Sequence, residues 1–427
     1  MAGFFAPNLK QAPTILRDEC GEKRGIQIEP VGQGMGDSPH RRLVHLVLFG
    51  LVVAYAALLL ATFFMGIWLV GADGRPIGVD FVSFWAAGKL VLAGHAADAY
   101  DWAVHKEIAT AAGIDINGRF TFQYPPTFLL TTPALALLPY PAAMLSWIAI
   151  GLPLYLLAIR LVAGTWNATL AALAWPAVLW NAVVGQTGFL TAALLGAGIA
   201  LIDRRPALSG VLFGLLTVKP QFGLLVPVAL VAGGRWKVVC WAAASTLAIA
   251  AASTAILGTT PWTAFLDSAS RINDAILTAG GADFSKLQSL YGYLRALGFG
   301  AETAWLAHGV LALVLAVGVA WIWRSDAAFD LKAAALSAAT ILASPYAFIY
   351  DFVMLAVPLA FLGRAGFSGK ELIVVVAAAL LVGWGPADHL ATGLVAGMLV
   401  LGLVVGRVCT ESATHLGGGV ERARLQP

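Results

Sequence analysis

Charged residues are scarce in this sequence, and their scarcity excludes most classes of protein. Asp, Glu, Lys and Arg make up 11% of the 427 residues, hydrophobic residues make up 59%, and the mean hydropathy is +0.82. Ordinary soluble domains carry roughly a quarter charged residues, so a water-soluble fold of this size could not cover its surface. The net charge of +3 is too small to indicate a nucleic-acid partner. The composition predicts a multi-pass membrane protein.

Cysteine is also rare, which excludes a disulfide framework. Cys20, Cys240 and Cys409 lie far apart, and no Cys-x-x-Cys spacing indicates a metal site. The seven histidines are scattered, and none has a partner at ligand spacing. We therefore predict no metal site and no cofactor, and we expect His95 and His105 to be surface residues.

Long apolar runs take the place of the missing charge. Many are near or above the ~20 residues that cross ~30 Å of hydrocarbon, and they do not alternate as the strands of a membrane barrel would. Helices satisfy their own backbone hydrogen bonds in lipid. The predicted fold class is therefore an all-α polytopic membrane protein with about twelve transmembrane helices. The predicted helices are 43–70, 142–163, 168–184, 187–202, 206–218, 221–233, 236–257, 304–323, 332–343, 348–363, 371–385 and 389–407.

The same runs give a domain organisation. Residues 1–42 are polar, without the apolar core of a cleavable signal, and are predicted to be a largely disordered cytoplasmic tail, so the first apolar run is a retained anchor. Residues 43–407 form one transmembrane domain, and 408–427 form a second cytoplasmic tail. Within the domain, 71–124 and 258–303 are predicted to be extracytoplasmic loops.

The positions of Lys and Arg predict the orientation. Arg41 and Arg42 place the first end in the cytoplasm, and alternate turns are basic. The basic turns are 203–205, 233–237, 323–325 and 363–370. Both termini are then cytoplasmic, and the Ala, Gly and Leu-rich helices suggest the inner membrane of a bacterium. Residues 127–138, bounded by prolines, would invert every later loop if they crossed, so we predict a re-entrant segment or a broken first half of the next helix.

The remaining polar stretches fall on the extracytoplasmic face. They are GVDFVSFW (78–85), FQYPP (122–126), VVGQTG (183–188), TVKPQFG (217–223), the 258–303 loop and SPYAFIYD (344–351). Polar residues collected on one face are typical of an active site that faces outward rather than of a pathway through the membrane.

Two of these polar residues allow both a structural and a functional reading. Asp80 is an N-cap for the following helix, or a carboxylate beside an apolar surface whose raised pKa suits a general base. Lys219 is a snorkelling lysine, or a cation for a lipid phosphate, since Lys is disfavoured on the outer face.

Other stretches are equally open to two interpretations. Gln186 lies in a simple turn or binds sugar hydroxyls. Tyr124, Tyr346 and Tyr350 belong to an interfacial aromatic belt or provide stacking faces for a sugar. The spacing of Gly210 and Gly214 predicts only a close-packed helix face.

The ordered set of stretches resembles glycosyltransferase family 87, membrane enzymes with a GT-C type fold that include polyprenol-phosphate-mannose-dependent α-mannosyltransferases. The similarity runs from about residue 78 to 355. It includes GVDFVSFWAAGKLVLAGHAADAYD, FQYPPTFLLTTPALALLP, the segment from NAVVGQTG to TVKPQFG and beyond, KLQSLYGYLRALG and SPYAFIYDF. The resemblance implies an inverting, metal-independent hexosyltransferase whose partners are a polyprenyl-phosphate sugar, a lipid or glycan acceptor and membrane lipids.

The resemblance also implies roles for single residues. Asp80 is the implied catalytic base, and the amphipathic stretch 81–92 is expected to lie along the membrane interface. Many members have Trp and then His after Ser-Pro, and Tyr350 occupies the position aligned with that histidine, so contacts there must differ. The implied donor and acceptor pocket contains Tyr124, Gln186, Lys219, Gln221, Gln288, Ser289, Arg295, Tyr346, Tyr350 and Asp351.

Two other classes of protein remain as alternatives. A transporter or lipid flippase would show internal repeats and ionisable residues near the midplane of the bilayer, and the sequence shows neither clearly. A non-catalytic scaffold of envelope assembly would retain the fold with a degraded site, and the missing histidine favours that alternative.

Overall fold

The computed structural model describes residues 39–116, 122–272, 284–386 and 390–424. The chain divides into two compact units, 1–44 and 45–427. The described part of the first unit is the beginning of the first helix. The second unit contains every other element and all of the contacts described below.

The described residues form nineteen α-helices joined by turns and short 3-10 helices, and they contain no strand, only three isolated bridges. The helices are α1 Pro39–Phe64, α2 Val82–Leu92, α3 Trp102–Ala111, α4 Pro126–Leu129, α5 Thr132–Ala136, α6 Tyr140–Ala163, α7 Trp166–Leu173, α8 Ala177–Val184, α9 Gly188–Ala200, α10 Pro206–Leu215, α11 Leu225–Ala232, α12 Trp236–Leu257, α13 Thr260–Ile272, α14 Leu290–Ala296, α15 Ala301–Arg324, α16 Phe329–Leu342, α17 Ala356–Gly363, α18 Gly369–Trp384 and α19 Thr392–Arg424. The 3-10 helices that matter below are Leu216–Val218, Pro220–Gly223, Phe284–Lys286 and Ile349–Leu355.

The all-α fold and the membrane assignment are confirmed, but the number of crossings is not. Among the described residues, five helices are long and apolar enough to span a bilayer, within α1, α6, α12, α15 and α19. A sixth span results if α7 and α8, which meet at a bend of 57°, are counted as one. Several other apolar helices have 10–17 residues, fewer than a straight crossing needs. The figure of twelve crossings stays a prediction.

Residues 127–138 do not form a spanning helix. They contain α4 and α5, which have 4 and 5 residues and each begin with proline at one of the first two helical positions. Proline fixes a helix start but lacks the N–H that would continue an earlier helix. The chain therefore makes two short helical turns before α6, as a broken or re-entrant segment would.

The prediction that 81–92 is amphipathic is wrong, and its position along the membrane interface stays a prediction. Eight of the eleven residues of α2 are buried inside the protein. The indole of Trp85 donates to the carbonyl of Leu138, and Gly88 packs so closely on the backbone of Thr132 in α5 that a Cβ would overlap it. The helix is apolar because neighbouring helices cover it, and it follows the Asp80 loop directly in the chain.

The small-residue face on α10 is confirmed as a packing face. A Cβ on Gly210 would meet the backbone of Val238, and one on Gly214 would overlap the hydroxyl of Ser245, both on α12. The Ser245 hydroxyl in turn donates to the carbonyls of Gly210 and Ala242. In lipid the hydrophobic effect does not drive helices together, so their association depends on close van der Waals packing. Small residues allow the two backbones to approach closely enough for such packing.

The basic turns are joined by ion pairs at one end of the bundle. Arg235 lies 2.7 Å from Asp203, Arg364 lies 2.8 Å from Asp330, and Arg407 lies 2.6 Å from Glu371. The first pair joins two of the basic turns, the second joins the turn after α17 to the start of α16, and the third joins α19 to the start of α18. Two of the predicted cytoplasmic turns, 203–205 and 233–237, thus meet in space, and the membrane side they face stays a prediction.

The expectation that His105 is a surface residue is wrong, while His95 is exposed. The ring of His105 is 2% exposed on α3. Burial lowers its pKa to about 4, against smaller opposing effects of the Ala99 backbone and Asp101. The imidazole is therefore neutral within the first loop.

Candidate active site

The Asp80 loop is fixed by backbone hydrogen bonds on both sides of the carboxylate. The N–H of Gly78 donates to the carbonyl of Asp115 at 2.8 Å, and the N–H of Val79 donates to the hydroxyl of Tyr140 at 3.2 Å. The N–H of Phe81 donates to the carbonyl of Val184 at 3.1 Å. These bonds attach the loop to α6 and to the end of α8, so Asp80 has a defined position.

The turn that carries Gln186 is built by a glycine and an asparagine. Gly185 ends α8 with a φ of 66° in the left-handed region, which glycine adopts without steric penalty. The backbone carbonyl of Asn181 accepts from Gly185 and Gln186, and its side-chain oxygen accepts from the N–H of Gly188 at 3.0 Å. This clamp directs the side chain of Gln186 toward the Asp80 loop.

Asp80, Gln186 and Tyr124 form a continuous hydrogen-bonded chain. The amide nitrogen Nε2 of Gln186 donates to Oδ2 of Asp80 at 3.0 Å. The hydroxyl of Tyr124 donates to Oε1 of Gln186 at 2.7 Å, and the N–H of Thr187 donates to the same oxygen at 3.2 Å. Residues from three predicted stretches, 62 and 106 positions apart, therefore meet at one point.

The helix-cap reading of Asp80 is wrong. The N-cap of α2 is Phe81, and no side-chain hydrogen bond caps this helix. The half-buried carboxylate of Asp80 is bound to Gln186 instead. A single amide donor holds one carboxylate oxygen without neutralising the charge.

Burial raises the pKa of Asp80 above its ordinary value of 3.8. The hydrogen bond from Gln186 opposes this rise, as do the charges of Lys219 and Lys286, whereas the charge of Asp351 adds to it. A carboxylate whose pKa is raised is a stronger base, which suits a group that accepts a proton.

Lys219 lies at a break between two helices. Proline at position 220 disfavours helical backbone at the residue before it, and Lys219 is extended, with φ of −136° and ψ of 80°. Its ammonium lies 2.7 Å from Oδ1 of Asp351, and the two side chains are 7% and 0% exposed. The cation predicted to meet a lipid phosphate is thus already paired inside the protein.

Aromatic rings surround this ion pair. The Lys219 ammonium lies 5.9 Å from the ring centre of Tyr124, 5.5 Å from that of Phe222 and 5.1 Å from that of Tyr350. Cations are attracted to the faces of such rings. Tyr350 also stacks on Phe348, with ring centres 5.4 Å apart. Tyr350 therefore faces Lys219.

Gln288 and Ser289 are brought to the edge of the site, where they join two loops. Oε1 of Gln288 accepts from the N–H of Gly393 at 2.8 Å, and its backbone N–H donates to the carbonyl of Ala347. The hydroxyl of Ser289 donates to the carbonyl of Pro345 at 2.7 Å and caps α14. Their described bonds fix the 284–289 segment against 344–348.

The described contacts of Tyr346 and Arg295 are with residues other than Asp80, Gln186, Lys219 and Asp351. Tyr346 packs at 6.5 Å from the ring of Trp305. Arg295 donates to the carbonyl of Phe299, and its guanidinium lies 4.8 Å from the ring of Phe284. Gln221 is half-buried in the 3-10 helix that follows Lys219.

Sequence reasoning missed three residues that shape the site. Asn181 was quoted only as part of a longer stretch, although an asparagine before a helix-ending glycine is a signal for a clamped turn. Tyr140 supports the Asp80 loop from α6. Lys286 is exposed, and its charge lowers the pKa of Asp80; its place in the KLQS stretch gave no sign of this proximity.

The described residues contain no group of three or more His, Cys, Asp or Glu side chains arranged to hold a metal ion. Among the described residues, the cationic groups that act on Asp80 are Lys219 and Lys286.

Comparison with known proteins gives the family. Searches of curated proteins and of solved structures found no match. The sequence model of glycosyltransferase family 87 matches residues 122–345, about half of the chain, which include Tyr124, Gln186 and Lys219. Asp80, Tyr350 and Asp351 lie outside the matched range but contact residues within it or act on them. The chain belongs to glycosyltransferase family 87.

Proposed function

We propose that this membrane glycosyltransferase moves a hexose from a polyprenyl-phosphate-sugar donor to a hydroxyl of a lipid or glycan acceptor, with inversion at the anomeric carbon. Mannose is our first choice of sugar. The proposed site faces away from the cytoplasm, in the inner membrane of a bacterium, and the reaction requires no metal ion.

The observation that carries the proposal is the state of Asp80. It is a half-buried carboxylate with a raised pKa, held through one oxygen by Gln186, in a loop attached to α6 and α8. Such a group can take a proton from an acceptor hydroxyl as the oxygen becomes a nucleophile. Cap residues at an interface need none of these features.

The proposed step balances as follows. The acceptor oxygen forms a bond to the anomeric carbon on the face opposite the phosphate, and the carbon–oxygen bond to the phosphate breaks. The electron pair of that bond leaves with the lipid phosphate, and the acceptor proton passes to Asp80. Asp80 then loses the proton to water before the next turnover.

The departing phosphate gains negative charge, which nearby cations stabilise. We assign this role to Lys219, with Arg295 as a second candidate. Because Asp351 lies 2.7 Å from the Lys219 ammonium, the phosphate must compete with this carboxylate or share the cation with it. The pair holds the lysine in a defined position before the donor arrives.

The test is transfer from a panel of radiolabelled polyprenyl-phosphate sugars into lipid and glycan acceptors by protein in proteoliposomes. Asp80→Asn should lower transfer by about 10²-fold or more, in line with the loss of a general base. Asp98→Asn, an exposed aspartate of the same loop, is the matched control and should retain wild-type transfer.

Other outcomes would point to the alternatives. Equal transfer by wild type and Asp80→Asn would remove Asp80 from the chemistry. Lipid translocation without any sugar transfer would support a transporter. Neither transfer nor translocation with the whole panel would favour a scaffold.

A further inference from the structure

We propose that Gln186 is a positioning residue for Asp80, and that Tyr124 fixes the orientation of the Gln186 amide. The inference rests on the proposed function, in which Asp80 is the base. It changes the roles expected for Gln186 and Tyr124, which were a hydrogen-bonding partner of the sugar and a stacking face for it.

The hydrogen bonds determine which way the Gln186 amide points. The backbone N–H of Thr187 is a donor only, and it contacts Oε1 at 3.2 Å. The carbonyl oxygen of the amide is therefore on that side, and the Nε2 donor faces Oδ2 of Asp80 at 3.0 Å. The Tyr124 hydroxyl adds a second donor to Oε1 at 2.7 Å.

The Gln186 side chain has little capacity left for a sugar. It is 7% exposed, one amide hydrogen is bound to Asp80, and both lone pairs of Oε1 are occupied. Its own backbone carbonyl accepts from the indole of Trp147 at 3.3 Å. Because its hydrogen-bonding groups are already occupied, Gln186 is better suited to hold Asp80 in position than to bind a sugar.

Tyr124 is also unsuited to stacking on a sugar. Its ring is 7% exposed, and it packs against the rings of Phe84, Phe122 and Phe128 with centres 5.0–5.4 Å away. The Lys219 ammonium lies 5.9 Å from the ring centre. Because the ring is packed, the functional group of Tyr124 is its hydroxyl, which donates to Gln186 and orients the amide.

The two carboxylate oxygens of Asp80 have different hydrogen-bonding surroundings. Gln186 binds Oδ2, and within the described part of the chain no donor contacts Oδ1. With Oδ2 held, the carboxylate cannot rotate freely, and Oδ1 is presented to the acceptor hydroxyl. The hydrogen bond also favours the charged form of Asp80, so its loss must raise the pKa of this carboxylate.

The other charged and titratable groups that act on Asp80 are Lys219, Lys286 and Asp351, and the phenols of Tyr124, Tyr140 and Tyr350 interact with it as well. Substitution of Gln186 by leucine leaves each of these groups in place. A shift in the titration of Asp80 in that variant therefore reports the amide hydrogen bond.

The experiment compares Gln186→Leu, Tyr124→Phe and wild type by kcat and KM as functions of pH. For Gln186→Leu we expect kcat to fall about 10- to 100-fold, the donor KM to change little, and the acid limb of the kcat profile to move to higher pH. Tyr124→Phe should do the same to a smaller extent. Tyr155→Phe is the control, because it removes a comparable buried hydrogen bond, to Ala172 in the core, away from Asp80.

A higher donor KM with an unmoved acid limb would overturn the proposal and return Gln186 to the sugar. An unchanged acid limb together with a lower yield of folded protein would show that Gln186 has only a structural role. If Gln186→Leu does not fold, the position of the acid limb of the kcat profile in Tyr124→Phe provides the test: a shift to higher pH supports the proposal, and an unchanged limb overturns it.

A second readout separates this proposal from the proposed function. The carboxyl band of Asp80 can be assigned by infrared difference spectroscopy through its disappearance in Asp80→Asn. Its titration midpoint should be higher in Gln186→Leu even in preparations that transfer no sugar, and an equal midpoint would refute the positioning role.

Discussion

At the scale of the residue, the pKa of Asp80 makes a prediction for the pH dependence of activity. A general base acts in its ionised form, so activity is present above its pKa and is lost as the pH falls through it. Because burial raises that pKa, the acid limb of kcat/KM should lie above the ordinary aspartate value of 3.8. The measurement is the rate of sugar transfer from pH 4 to pH 8, and a rate that stays constant to pH 4 would contradict the raised pKa.

The Lys219–Asp351 pair makes a second prediction at this scale. Removal of one partner leaves a buried charge without compensation, so Lys219→Met or Asp351→Asn should lower stability by about 3–5 kcal/mol. The double variant Lys219→Met with Asp351→Leu should recover much of this loss but no transferase activity. Thermal unfolding in detergent, followed by tryptophan fluorescence, measures the first effect.

The contrast with a surface pair supplies the control. Arg235 and Asp203 lie at a similar distance but are 40% and 50% exposed, and solvent screens such pairs. Arg235→Met should therefore change the unfolding temperature only slightly. Equal losses for the buried and the exposed pair would show that burial does not govern the effect.

Single residues also show where sequence reasoning ends. Asp80, Gln186 and Lys219 could be selected because each interrupts an apolar background on the same predicted face. The contacts between them could not be predicted, because Gln186 and Asp80 are 106 positions apart and Lys219 and Asp351 are 132 apart. The sequence around a lysine does not show whether the lysine is free to bind a phosphate or is paired with a buried carboxylate. Only the packing of the folded chain distinguishes these two cases.

At the scale of the element, the close approach of α10 and α12 makes the third prediction. Gly214→Ala places a methyl group on the Ser245 hydroxyl, and the helices must separate or shift. Overpacking of this kind destabilises by about 1–3 kcal/mol. Gly309→Ala on α15 is the control, since a Cβ there meets no atom within 4 Å. The unfolding temperature should fall in the first variant and stay or rise in the second.

The buried His105 on α3 makes the fourth prediction. Its folded pKa of about 4 lies below the unfolded value of about 6.5, so the unfolded chain binds the proton more readily. Its contribution to stability is present above pH 6.5 and is lost as the pH falls toward 4. His105→Phe should flatten the decline of the unfolding temperature between pH 7 and pH 5.

The exposed His95 is the control for this effect. Its ring is 65% exposed, so His95→Phe makes the same substitution in the same loop without changing the protein interior. A decline that persists in His105→Phe would assign the acid sensitivity to other groups.

Elements were easier to predict than their crossings. Hydrophobic runs bounded by Gly, Pro and basic residues locate α6, α9, α12 and α15 closely. The number of crossings stays a prediction, because many apolar helices are short and broken, as at Lys219 and between α7 and α8. The amphipathic reading of α2 failed because apolar residues look alike whether lipid or another helix covers them.

At the scale of the whole molecule, the polar stretches and the basic turns separate to different ends. Gln186 precedes α9 and Asp203 follows it, so a helix of 13 residues, about 20 Å long, separates the site from the ion-paired turns. The contacts of Asp80, Gln186, Lys219 and Asp351 hold one end together, and the Arg235–Asp203 pair belongs to the other. This separation agrees with the alternating orientation predicted from the charges.

The orientation itself is the fifth prediction, and it can be tested with single cysteines. In a variant whose three native cysteines are replaced by serine, Asp267→Cys on α13 should react with a membrane-impermeant maleimide in intact spheroplasts. Asp326→Cys, in the turn between α15 and α16, should react only after permeabilisation, because the positive-inside rule places that turn in the cytoplasm. Both aspartates are exposed and neither belongs to the site, so each variant should fold and transfer sugar normally. The opposite pattern of labelling would invert the molecule and place Asp80 on the cytoplasmic face, where a polyprenyl-phosphate sugar delivered to the outer leaflet could not reach it.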